Sequence, residues 1–204
     1  MDTLLAIILG VSMSASLSAA CGFRVFPPML VMSIAAMAGR LDLADGWNWI
    51  ASWPALIVFA VATATETCGY YVPWLDNVLD TIASPAAVVA GIVATAACVS
   101  GIDPLLKWSL AIIGGGGAAG LLQGSTVLLR GASTATTGGL GNPVVATSEL
   151  IMSFVLPLLA IVVPILAGII LCGLCGGGFF VFRRILRRRA KRAASLAVEQ
   201  TSGP

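Results

Sequence analysis

Residues Arg130 to Glu149 read R-G-A-S-T-A-T-T-G-G-L-G-N-P-V-V-A-T-S-E, a polar, glycine-rich interruption between two long apolar segments. Nowhere else do so many hydroxyls, glycines and charges sit together between hydrophobic runs. The apolar runs on either side decide the class of fold. Of the 204 residues, 58% are hydrophobic and 10% charged, with a mean hydropathy of +1.01. A soluble domain is nearer 45 to 50% apolar. The composition therefore places the chain in a bilayer, where a span takes about 20 apolar residues and irregular backbone is tolerated only if protein buries it or water reaches it. The interruption is the leading candidate for a working site, with Arg130, Ser133, Thr134, Thr136, Thr137, Asn142 and Glu149 as its polar groups and Gly138, Gly139, Gly141 and Pro143 as its break.

Upstream, residues 1 to 21 could pass for a secretory signal, but the stretch opens with Asp2 and has no Lys or Arg before Arg24. A signal peptide wants a basic start, so this is read as a retained first span. Its serines Ser12, Ser14, Ser16 and Ser18 alternate, which on a helix gives two neighbouring small-residue faces suited to close packing or to a lined pathway. A second break follows at C-G-F-R-V-F-P-P, where Gly22 permits unusual backbone angles and Pro27 and Pro28 stop one helix and start another. The segment from Met29 to Gly39 is about 11 residues, roughly 17 Å as a helix, too short to cross a core of about 30 Å. Arg24 is thereby placed at membrane depth.

Further along, Arg40, Asp42, Asp45, Trp47, Trp49 and Trp53 form an interfacial loop with aromatic anchors. A third span runs from Pro54 to about Tyr71 and carries Glu66; an acidic connection holds Asp76 and Asp80 four residues apart; a fourth span opens around Pro85 and reaches about Gly101. Span five covers Leu106 to Leu129, with Gly116, Gly120 and Gly124 spaced as a helix-packing seam that could also join copies of the chain in a homo-oligomer. The sixth starts after Pro143 and continues to about Leu171, with kinks expected at Pro157 and Pro164 and an end at Gly173 to Gly178. The fold class is thus all-α and integral to the membrane, with about six spans in residues 1 to 178 and a basic cytoplasmic tail in 179 to 204, expected to be helical at first and disordered at its end.

That tail, F-F-V-F-R-R-I-L-R-R-R-A-K-R, holds seven of the 11 basic residues, which marks the cytoplasmic side and attracts anionic lipid rather than nucleic acid. With both termini on the cytoplasmic side of the cell membrane, Arg24, Glu66, Asp76, Asp80, Arg130, the Ser133 to Asn142 loop and Glu149 all fall at or just beneath the outer surface. Charges there cost several kcal/mol unless paired or wetted. Either they bind or conduct something, or Arg24 and Arg130 pair with Glu66 and Glu149 only to hold broken helices together. Helix starts after Pro28 and Pro143 aim partial positive charge at the breaks and favour an anion, whereas the carboxylates favour a cation or proton.

The chemistry available is narrow. There is no histidine to serve as base or metal ligand, and Cys21, Cys68, Cys98, Cys172 and Cys175 are scattered through apolar sequence as small hydrophobes. The Cys172-x-x-Cys175 spacing stands alone, with no second pair to complete a zinc site. No cofactor or metal is expected. The expected function is a small-solute or ion transporter or channel, with a membrane-embedded enzyme, a lipid-headgroup binder or a non-catalytic scaffold as alternatives.

At Gly22-Phe23-Arg24, Glu66 through Pro73, Asp76, Asp80, Pro85, Arg130, Gly138-Gly139-Leu140-Gly141-Asn142-Pro143 and Glu149, the chain resembles a bacterial multi-pass membrane family catalogued as domain of unknown function 4126. It departs from that family's pattern at Cys68-Gly69-Tyr70, where an Asp-Lys pair is common, and at Leu150, where an Asp is. The resemblance implies a multi-pass membrane fold and no particular activity.

Overall fold

Proline sets the starts of the helices. In the computed structural model, which describes residues 2–72, 75–173, 176–177 and 183, Pro27 and Pro28 open α2 (Phe26–Met37), Pro54 opens α3 (Trp53–Gly69), Pro104 opens α5 (Pro104–Ser109), Pro143 opens α7 (Asn142–Val162) and Pro164 opens α8 (Pro164–Gly173). The first turn of a helix has no use for the proline's missing N–H. Side chains add caps at two of these starts: Ser52 accepts from the Ala55 amide at 3.3 Å and Asp103 from the Leu105 amide at 2.9 Å. The remaining helices are α1 (Asp2–Ala20), α4 (Leu75–Cys98) and α6 (Gly117–Thr137), with a π-helical turn at Leu110–Gly116 joining α5 to α6 in one rod. No strand occurs among the described residues.

Three helical stretches are long and apolar enough to cross a membrane: Val78–Cys98, Pro104–Thr137 and Asn142–Val162. The 12 residues of α2 reach roughly 18 Å, and α3 is also shorter than a standard span. At the centre stands α1, packed against α4, α6, α7 and the π-turn, while α2 lies on α3 and α7. Small residues dominate the contacts: Ala19, Ala20, Ala87, Ala94, Ala119 and Ala160 are buried around Leu17, Met32 and Leu156. Conversely, large apolar side chains stand exposed on the outer faces, among them Ile57 and Val61 on α3, Ile82 and Val89 on α4, Leu121 on α6 and Ile151 and Val162 on α7. An apolar exterior around an interior of small residues is the pattern of a helix bundle solvated by lipid.

Four boundaries differ from the sequence reading. The interruption at 130–149 is mostly helix: α6 continues through Thr137 and α7 begins at Asn142. Hydroxyls let this happen, because Thr136 and Thr137 donate to the carbonyls of Ala132 and Ser133, both at 2.8 Å, and so need no water. Only Gly138 and Gly139, at φ 65° and 93°, adopt the left-handed conformation that ends the helix. Secondly, α4 opens at Leu75 and carries Pro85 inside it; Asp76 and Asp80 are helical, and the Ser84 hydroxyl donates to the Asp80 carbonyl at 2.7 Å beside the proline. Thirdly, Pro157 sits within α7 as expected, but the chain breaks at Val163 (φ −139°, ψ 75°) before Pro164, as the residue preceding a proline is driven out of the helical region. Fourthly, Gly176 and Gly177, expected to end the last span, are helical. The basic run of the tail lies outside the described residues, Arg183 apart.

The glycine seam is taken up within the chain. A methyl group at Gly116 would come within 3.0 Å of Ile92 and one at Gly120 within 3.2 Å of Val88, both on α4, while Gly124 has open space. A tighter contact with α4 involves a glycine outside the expected series: a methyl at Gly115 would meet Thr95 Oγ1 at 2.3 Å and the Gly91 carbonyl oxygen at 2.6 Å.

Candidate functional site

Six helix ends meet at one end of the bundle. The turn at Cys21–Val25 closes α1 with backbone bonds from Gly22 to Ala19 (2.9 Å) and Phe23 to Ala20 (3.0 Å). Gly22 is required there because a side chain would run into the Ala119 backbone and the Leu122 Cβ of α6. This holds Arg24 inward, 1% exposed. Its Nη1 donates to the Glu66 carbonyl at 3.4 Å and its Nη2 to the Ala146 carbonyl at 3.0 Å, so one guanidinium ties the α1–α2 turn to α3 and α7. The Nε of Arg24 is buried without a hydrogen-bond partner.

Glu66 does not spend its carboxylate on Arg24. Oε1 accepts from the Val25 amide at 2.9 Å and Oε2 from the Phe26 amide at 3.1 Å. The α2 start, which has no cap of its own, is thus capped by a carboxylate from α3, and the positive end of that helix is occupied by the protein itself.

One turn beyond Glu66 comes Tyr70, buried at the end of α3. Both arginines lie over its ring, Arg24 with Cζ 4.0 Å and Arg130 with Cζ 4.2 Å from the centroid. The negative face of an aromatic ring attracts a guanidinium, more strongly where water is excluded, and here one ring draws two of them. Arg130, from α6, completes the network: Nη1 bonds Asp80 Oδ1 at 3.0 Å, Nε bonds Glu149 Oε1 at 3.2 Å, and Nη2 pairs with Glu149 Oε2. A bidentate grip on Glu149 and a single bond to Asp80 lock α6 to α7 and α4.

Beside this network a cavity of about 550 Å³ opens between α4 and α6, lined by Asp80, Thr81 and Ser84 on one wall and Val127, Arg130, Gly131, Thr134 and Ala135 on the other. Of the residues expected from sequence, Arg24, Glu66, Asp80, Arg130 and Glu149 are brought together, and Thr134 lines the cavity. Pro27, Pro28 and Pro143 serve as helix starts. Thr137, Asn142 and Gly141 instead close the α6–α7 hairpin, the Gly141 amide donating to Thr137 Oγ1 at 3.0 Å and Asn142 Nδ2 to Thr134 Oγ1 at 3.2 Å, while the Thr136 hydroxyl bonds back onto the Ala132 and Ser133 carbonyls of α6. The side chain of Asp76 lies outside the described residues. Sequence reasoning passed over Tyr70, Thr81 and Ser84. Two of them carried a signal, since Tyr70 is four residues after Glu66 and Ser84 four after Asp80, on the same helix faces.

Below the cavity the interior stays polar. Gln123 and Thr126 are buried on the Arg130 face of α6, Ser153 on the Glu149 face of α7, and Ser14, Ser16 and Ser18 along α1. The Ser18 hydroxyl donates to the Gly115 carbonyl in the π-turn at 2.6 Å, whereas the hydroxyls of Ser16, Thr63 and Thr95 are buried without a partner.

Neither the curated proteins nor the solved structures include a match to this chain. A family model does match, over residues 11–184, a range that contains the whole charged network. The chain belongs to the family described as Domain of unknown function (DUF4126).

Proposed function

We propose that this protein is a cell-membrane transporter or channel for a small solute or ion, with the α4–α6 cavity as its site. The observation that carries the reading is the cavity itself: a space of about 550 Å³ walled by the Asp80–Arg130 ion pair, in a bundle whose outer faces are apolar. Charges in such a setting are costly, and their usual return is a substrate or ion path. The buried, unpartnered hydroxyls of Ser16 and Thr95 extend the polar character into the interior, where an orphaned hydroxyl otherwise has no compensation. In the proposed placement the six helical passes run antiparallel, the basic tail is cytoplasmic and the charged end faces outward.

One feature favours a second use of the same residues. Three nitrogens of Arg130 are satisfied by carboxylates of the protein, which is what a purely structural brace requires. Reconstitution in liposomes separates the two. A transporter gives a flux across a panel of salts that Glu149→Gln reduces while the variant remains monodisperse and helical. A brace gives no flux from the native protein and an unfolding or aggregation phenotype from the variant.

A further inference from the structure

We infer that the cavity selects cations, with Asp80 as the carboxylate that receives them; this rests on the transport reading above. Charge accounting among the described side chains around the site points one way. Arg24 and Arg130 contribute two positive charges and Glu66, Asp80 and Glu149 three negative ones, so the ionised network carries a net charge of 2 − 3 = −1. Of the two helix starts expected to attract an anion, that of α2 is already filled by Glu66. Arg130 is no better placed for one, because it directs Nε and Nη2 to Glu149 and Nη1 to Asp80, and an anion entering the cavity meets a guanidinium whose charge is already answered.

Asp80 differs from the other carboxylates in position. Its side chain is 15% exposed, against 3% for Glu149, and it forms part of the cavity wall. Ser84 and Thr134 line the same space; the Ser84 hydroxyl donates to the Asp80 carbonyl and Thr134 Oγ1 accepts from Asn142 Nδ2, which leaves each oxygen a lone pair for a hard cation. The volume is far larger than the ~30 Å³ that one water occupies in the liquid, so the cavity admits a hydrated alkali ion or a small ammonium rather than only a bare ion. A cation settling at Asp80 competes with Nη1 of Arg130, and Arg130 stays anchored by its two bonds to Glu149. The ligand thereby loosens the α4–α6 link without releasing the α6–α7 link.

The test is the ion selectivity of the purified full-length protein in liposomes, read as reversal potential or uptake with sodium, potassium and methylammonium salts against chloride, nitrate and phosphate. Cation flux should exceed anion flux, and Asp80→Asn should lower it by at least about tenfold. Thr134→Lys, which adds a positive charge at an exposed position on the opposite wall, should suppress it as well and covers the case in which Asp80→Asn fails to fold. Anion flux that persists or rises in both variants overturns the cation assignment while leaving transport intact. Absence of flux for every ion overturns both.

Discussion

Glu66 is a buried carboxylate satisfied by two backbone amides rather than by a side-chain cation. Removing it leaves two N–H groups at the α2 start without an acceptor in a dry interior, a loss of roughly 1–3 kcal/mol for each. Glu66→Ala should therefore destabilise the bundle more than Glu66→Gln, which keeps one acceptor oxygen, as read by thermal unfolding in detergent. Tyr70 invites a sharper comparison. Its ring carries two guanidinium contacts, each worth on the order of 1–2 kcal/mol when shielded from water. Tyr70→Phe should retain most of this, whereas Tyr70→Leu should lower the unfolding midpoint clearly; equal midpoints for the two would show that the ring face contributes nothing. Charge made Arg24, Glu66, Asp80, Arg130 and Glu149 legible in the sequence, since any such residue in an apolar chain stands out. Tyr70 was hidden because an aromatic near a helix end reads first as an interfacial anchor, and only the fold puts two arginines on it.

At the scale of elements, the prolines that start helices at 27, 28, 54 and 143 were legible, whereas Pro85, inside α4, and the loops were not. Pro27, Pro28, Pro54 and Pro143 each stand within the first three residues of a helix, because their stereochemistry is local. The polarity of 130–149 misled, since threonine hydroxyls can turn back onto the helix carbonyls and make a polar sequence helical in an apolar medium. The glycine run shows the same division. Spacing alone pointed to Gly116, Gly120 and Gly124, but which of them are tight depends on where α4 lies. Gly115→Ala or Gly91→Ala forces a methyl into the opposing helix and should be strongly destabilising. Gly124→Ala, with no heavy atom within 4 Å, should be neutral or stabilise by up to about 1 kcal/mol through the helix preference of alanine. Expression level and thermal midpoint of the three variants check this ordering.

For the whole molecule, the meeting of the charges at one end follows from alternation: a chain that reverses at every turn returns each second turn to the same end. Arg24, Glu66 and Tyr70 lie at such turns, and Asp80, Arg130, Ala146 and Glu149 lie within a few turns of them. The sequence suggested that convergence through the charged residues standing at or near breaks in the apolar runs. The cavity was not legible there, because it depends on the crossing of α4 and α6 and on small side chains along their contact. The most direct test of the account places a single cysteine in the cavity wall, Thr134→Cys, in a background with the five native cysteines replaced. In sided membrane vesicles, an impermeant, positively charged thiol reagent applied from the outside should label the position and block cation uptake, and the same reagent confined to the cytoplasmic side should do neither. Complete labelling from outside with undiminished uptake, or labelling from the cytoplasmic side alone, would contradict it.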